Sequence, residues 1–155
     1  MLRLDQQLCF LLYSASRKMT AAYRPFLIKI GLTYPQYLVM MVLWEYFGIT
    51  KGVDSGTKTQ GMTVGDLGEK LELDSGTLTP LLKRLEKNHL VIRQRDEEDE
   101  RVVRILLTKE GVELNQNAMS VAFHMRCSSG LTDESLTEVR EGVRELLSQI
   151  PIFKP

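Results

Sequence analysis

Apolar residues recur at helical spacing through the middle of the chain. Val64, Leu67 and Leu71 fall about a turn apart and predict one short helix. Glu72-Leu73 leaves room only for a brief connection. Asp74 and Ser75 both suit an N-cap, because their side-chain oxygens accept from the unpaired N–H groups of a starting helix. Leu78, Leu81, Leu82 and Leu85 give the second helix its buried stripe. Its other face carries Thr77 and Thr79 near the start, then Lys83, Arg84 and Lys87. Pro80 leaves two readings open. Either it lies inside the helix, with Gly76 four residues back softening the ring clash, or the regular helix begins at Thr79 with Pro80 in its first position. The period then shortens. Val91 to Arg95 and Val102 to Leu107 are β-branched, alternate with arginines and read as strands around a charged tip, Asp96 to Arg101. Thr108 to Gly111 caps a further helix. Two helices, a turn and a two-stranded hairpin make a winged helix-turn-helix, a module that reads DNA. Short hydroxyls reach base edges and cations meet phosphates.

The flanks are helical. Asp5 is the expected N-cap of a first helix, with Leu4 and Cys9 spaced as a hydrophobic staple. Leu8, Leu11, Leu12, Ala15, Met19 and Ala22 continue its apolar face. Gly31 reads as a stop, Thr33 as the next cap, and Pro35 as a tolerated first-turn residue. Tyr37, Val39 to Leu43, Trp44 and Tyr46 form a core helix. Residues 48–61, with four glycines, break the pattern as a flexible loop that carries Lys51 and Lys58. After Gly111, Val112, Leu114, Ala118, Val121 and Ala122 predict a helix to about Met125. Thr132 caps another, with Ser135 where an acid is usual, and Val139, Val143, Leu146, Leu147 and Ile150 line it up to Pro151. The fold class is therefore mainly α with a small β-wing. Residues 1–30 form an N-terminal dimerisation helix, 31–111 the winged domain and 112–155 C-terminal dimerisation helices. A long first helix has little of its own domain to cover it, so a homodimer is expected. A two-fold dimer matches a palindromic operator.

Composition narrows this picture little. The chain has 155 residues, 43% of them apolar, and a formal net charge of +0. No apolar run reaches the roughly 20 residues of a membrane span, and Arg3 and Asp5 interrupt any leader pattern. A cytoplasmic setting is expected, where two cysteines are not a structural framework. Zero net charge excludes a generic basic DNA coat but not a regulator, since distribution decides. His89 and His124 stand alone, and no phosphate loop follows a strand. No catalytic residue, metal site or cofactor is expected.

Two stretches carry a family resemblance. Asp99-x-Arg101 followed by Leu107-Thr108-x-x-Gly111 is similar to the wing motif of MarR-type repressors. The run from Leu73 to Glu86, LDSGTLTPLLKRLE, resembles the recognition helix of the OhrR-type subgroup, the organic-hydroperoxide sensors. By comparison with that family the loop at 48–61 is an insertion of roughly a dozen residues. The resemblance implies base contacts near Ser75, Thr77, Thr79 and Pro80, phosphate contacts at Lys83 and Arg84, and a wing arginine, Arg101, steadied by Asp99. It implies double-stranded operator DNA as partner and an organic hydroperoxide as inducer. Cys9, in the first turns of a helix whose partial charge favours a thiolate, matches the sensing cysteine. Tyr23 and Tyr34 match the two tyrosines that a partner subunit places beside it, where phenols donate to the thiolate. Cys127 matches the second cysteine of a two-cysteine branch. Two other classes stay open on the residues themselves: a MarR-type repressor governed by a noncovalent ligand, and a thiol peroxidase using Cys9.

Overall fold

A computed structural model describes residues 3–49, 60–128, 130 and 132–150. Helices α1 (Leu8–Lys29) and α2 (Tyr34–Tyr46) are followed by strand β1 (Met62–Thr63), α3 (Val64–Leu71), α4 (Ser75–Lys87), β2 (Val91–Arg95), β3 (Val103–Leu107), α5 (Lys109–Ser128) and α6 (Asp133–Gln149). This mainly helical architecture with a small antiparallel wing is the winged helix-turn-helix read from the sequence. The chain forms two compact units, Met1–Val121 and Ala122–Pro155.

In the first unit the core is a single cluster. Leu27 of α1, Val39, Met40, Leu43 and Trp44 of α2, Leu67 of α3, Leu78, Leu82 and Leu85 of α4, and Val91 and Ile105 of the sheet are all buried in it. Trp44 is the largest, and its indole N–H donates to the carbonyl of Gly111 at 2.8 Å, so its one polar group is satisfied inside. Gln36 is also buried. Its amide oxygen accepts from the backbone N–H of Thr33 at 2.8 Å and from the Thr33 hydroxyl at 3.0 Å, which closes the start of α2 as the sequence predicts.

Helix ends follow the expected chemistry with one correction. Asp5 does not cap α1. A short 3-10 turn occupies Leu4–Gln6, Asp5 pairs with Arg3 at 2.7 Å, and Gln7 stands at the N-cap without a side-chain bond. The carboxylate finds a neighbouring guanidinium instead of the helix N–H groups. α1 runs through Pro25 and ends where Gly31, at φ +71°, lets Leu32 N–H reach Leu27 O at 3.0 Å and Gly31 N–H reach Ile28 O at 3.1 Å. The same closure ends α3 at Glu72 and α4 at His89, both with positive φ despite a β-carbon. Thr108 caps α5 by accepting from Gly111 N–H at 2.9 Å.

The sheet order is β1-β3-β2, with Val91 opposite Leu107, Arg95 opposite Val103, and Met62 opposite Ile105. β1 closes the loop that the sequence assigns to 48–61. Most of that loop, with Lys51 and Lys58, lies outside the described residues. In the second unit, Thr132 caps α6 by accepting from Ser135 N–H at 3.2 Å, and no α6 side chain is buried. No single described helix is long and apolar enough to cross a membrane.

Candidate nucleic-acid interface and thiol site

The start of α4 is built around Asp74. Its Oδ1 accepts from the backbone N–H of Thr77 at 2.9 Å and its Oδ2 from the Thr77 hydroxyl at 2.7 Å. These two bonds, the hydroxyl first, hold the Asp74 carboxyl below the usual carboxylate range. The helix is regular from Ser75, so Pro80 lies inside it and the later start at Thr79 is not used. Pro80 cannot donate to Gly76 O. One residue earlier, the Thr79 hydroxyl donates to Ser75 O at 2.6 Å. Ser75, Thr77 and Pro80 are exposed, Thr79 is half-buried, and Lys83 and Arg84 are exposed further along. The candidate reading residues thus share one open helix, with hydroxyls and an apolar ring first and cations after.

The wing presents Arg101, whose side chain is 91% exposed. Asp99 Oδ1 accepts from its backbone N–H at 3.0 Å and from its guanidinium Nε at 3.1 Å, so Asp99 aims the arginine as expected. The residue that shapes the loop is another one, Asp96. It accepts from the N–H groups of Glu98 at 3.0 Å and Asp99 at 3.2 Å and from Arg104 Nε. Arg104 also donates to Gly61 O at 3.1 Å, tying the wing to the strand that closes the long loop. Arg104 foremost, then the two N–H groups, holds the Asp96 carboxyl below its ordinary range. Sequence reasoning missed this role because Asp96 stands first in a run of five acids. Between wing and α4 lies a cleft lined by Thr63, Thr79, Leu82, Arg93 and Arg101. Arg93 faces Glu86 at 3.6 Å, and its Nε is buried without a partner.

The thiol site is divided along the chain. Cys9 is the second residue of α1 and is exposed, and Cys127 is exposed near the end of α5 in the other compact unit. Tyr23 and Tyr34 pack together with ring centroids 5.1 Å apart, and Tyr37 joins them 6.0 Å from Tyr23. Burial, then the neighbouring Tyr34, pushes the Tyr23 phenol up from its ordinary value, so it stays protonated and able to donate at neutral pH. Cys9 and Tyr23 share one helix fourteen residues apart, about 21 Å at the helical rise. A chain's own Tyr23 therefore lies far beyond hydrogen-bond reach of its Cys9.

Residues 21–118 match the family model of SarA/Rot transcriptional regulators. The chain is 42% identical over 149 residues to the organic hydroperoxide resistance transcriptional regulator of Bacillus subtilis, covering 96% of this chain and 92% of that one. It superposes on reduced AbfR bound to DNA with a TM-score of 0.71 and 34% identity, covering 96% of this chain and 94% of the other. Disulfide-formed AbfR aligns with a TM-score of 0.61 at 34% identity, over 94% of this chain and 93% of the other; AbfR is a protein of Staphylococcus epidermidis. With a winged domain whose reading helix and wing arginine are both open to solvent, this chain belongs to the SarA/Rot-type, MarR-class transcriptional regulators, on the organic-hydroperoxide-regulator branch.

Proposed function

We propose that the protein is a cytoplasmic, homodimeric repressor that holds an operator while reduced and leaves it when an organic hydroperoxide oxidises Cys9. The observation that carries this reading is the full-length similarity to an organic hydroperoxide resistance regulator, combined with an exposed Cys9 at the start of α1. The Cys9 thiolate attacks the O–O bond. The alkoxide leaves and takes up a proton as an alcohol, and the sulfur becomes a sulfenic acid. Condensation with the thiol of Cys127 from the other subunit expels water and forms a disulfide. No metal or cofactor takes part. The long separation of Cys9 from Tyr23 supports contact across subunits, because only a second chain's Tyr23 and Tyr34 can approach the sulfur. AbfR has been described both reduced on DNA and with a disulfide formed, which supports two chemical states for this scaffold. DNA binding follows the same division of labour. Ser75, Thr77, Thr79 and Pro80 face base edges, Lys83 and Arg84 meet phosphates, and Arg101 with Asp99 enters the minor groove beside them.

The test is duplex binding before and after treatment with an organic hydroperoxide, with a non-reducing gel alongside. The wild type should lose DNA and gain a reducible covalent dimer together. Cys9→Ser should do neither, and Cys127→Ser should form no covalent dimer. Release by Cys9→Ser on adding peroxide would transfer the protein to the class governed by a noncovalent ligand. Continuous peroxide consumption with a thiol reductant would make it a peroxidase.

A further inference from the structure

Two of the short hydroxyls on the reading helix, those of Thr77 and Thr79, are not interchangeable donors and acceptors, because the fold has already placed their hydrogens. An ionised carboxylate has no hydrogen to give, so in the 2.7 Å contact with Asp74 the proton belongs to Thr77. A backbone carbonyl has none either, so in the 2.6 Å contact with Ser75 O the proton belongs to Thr79. Outward, Thr77 offers only lone pairs and a methyl group. In the major groove, guanine shows two acceptors, whereas adenine N6 and cytosine N4 are amino donors. An acceptor facing guanine N7 or O6 finds no hydrogen between the two atoms and is repelled.

We propose that Asp74 is a positioning residue for base choice. By fixing the Thr77 hydroxyl proton inward, it makes Thr77 an acceptor-only reader that takes an exocyclic amino group and rejects guanine at one position of each half-site. This rests on the DNA-binding reading above and deepens it. The Asp74 carboxyl stays ionised at neutral pH, since both Thr77 bonds stabilise its charged form. Thr77 is exposed on the helix, so its remaining lone pairs are open to a base edge.

Asparagine separates the cap from the polarity. In Asp74→Asn the side-chain oxygen still accepts from Thr77 N–H, and Asn caps about as well as Asp. Its amide NH2 then donates into the Thr77 oxygen, and the hydroxyl hydrogen turns outward. Losing a negative charge beside DNA strengthens binding to every sequence alike, so the readout is a ratio between sequences. The probe is a duplex retained by the full-length, reduced wild type from a randomised double-stranded pool, with each base pair then replaced in turn. For the wild type, guanine at one half-site position should cost roughly tenfold, the scale of a single mismatched pair. In Asp74→Asn that penalty should shrink at that position alone. Thr77→Val keeps the backbone bond to the cap but has no acceptor, and it should lose the penalty at the same position. An Asp74→Asn profile parallel to the wild type at every position would overturn the proposal. Should circular dichroism show Asp74→Asn to be unfolded, Thr77→Val decides, and a guanine penalty surviving in it overturns the proposal. A wild type that retains no duplex overturns the regulator reading and this one together. A selective wild type whose profile neither variant alters overturns this one alone.

Discussion

At the scale of single residues, Asp96 gathers three donors that would otherwise leave the wing loop open: two backbone N–H groups and the Arg104 guanidinium. Its folded-state pKa is depressed, chiefly by Arg104, so its stabilising effect is complete above the unfolded carboxyl value, about 3.9, and is lost as pH falls through the folded value. Asp96→Asn should therefore lower the thermal midpoint at neutral pH, and the gap to wild type should close below about pH 4. A gap that persists unchanged at acid pH would mean the carboxylate charge contributes nothing. Arg101 needs a different measurement. Its side chain is almost wholly exposed and, among the described residues, held by Asp99, so removing it should leave folding unchanged. Arg101→Ala should weaken DNA binding and flatten the log-log salt dependence by about 0.9, one phosphate's worth of counterion release. An unchanged slope would place the wing off the DNA. The two acids differ in how readable they were. Asp99 and Arg101 are two residues apart, a local pairing visible in one strand of sequence. Asp96 meets a partner eight residues on, and only the register that sets Arg95 opposite Val103 brings Arg104 back to it.

At the scale of elements, the helices of the reading module were legible because each combines an apolar period with a capping residue. Val64, Leu67 and Leu71 with Leu78, Leu82 and Leu85 needed nothing beyond spacing, but the start of the second helix stayed open between a cap at Asp74 or Ser75 and a later start at Thr79, and the fold places it at Ser75 behind Asp74. β1 was not legible. Met62–Thr63 is two residues long and has no period of its own, and it is a strand only because Ile105 and Arg104 lie opposite. The turn at Glu72 was hidden for a related reason, since a left-handed glutamate carries no composition signal. Gly111 appeared in the sequence as part of a wing motif and of a helix cap, and packing supplies its physical reason. Its carbonyl accepts from Trp44, its N–H is held by Thr108, and a β-carbon there would run into the carbonyl of Leu90. The obstacle is backbone, which cannot swing aside as a side chain can. Leu90 O already accepts from Thr108 N–H at 3.2 Å. Gly111→Ala should therefore destabilise by at least about 2 kcal/mol, within the range of overpacked cores. Gly142→Ala is the control. It lies within α6 with open space around it, and it should stabilise by about 0.5–1 kcal/mol through helix propensity. Urea denaturation of both variants checks the pair, and equal midpoints would remove the packing account.

At the scale of the whole molecule, the exposed apolar residues bear on the proposed dimer. α1 has twenty-two residues, and Leu27 is its only buried one. Leu8, Leu11 and Met19 stand open along it, each more than half exposed. α6 buries nothing at all, and Val139, Leu147 and Ile150 are open there too. Rows of exposed apolar residues such as these suit an interface, and the proposed second copy would cover each of them. The proposed dimer would also give the proposed redox chemistry its reach, because Cys9 and Tyr23 of one chain are separated along one helix. Two reading heads fixed by one body can address half-sites a helical turn apart, about 34 Å. In the proposed dimer, joining two heads would make the second contact intramolecular, a gain on the order of 100-fold or more. Leu11→Glu combined with Leu147→Glu sets a charge in each exposed apolar row that the proposed dimer would cover and should give a single-chain mass by sedimentation equilibrium. The double variant should keep its helical circular dichroism, since neither residue belongs to the core cluster. It should bind a palindromic duplex at least about 100-fold more weakly than wild type, and no better than a single half-site. On the proposed mechanism it should also form no covalent dimer on peroxide treatment, because the partner's cysteine would no longer be held beside Cys9. Undiminished affinity for the palindrome in a proven monomer would show the reading heads to be independent. A disulfide between subunits could then no longer control their hold on DNA, and the switch would have to lie within one chain.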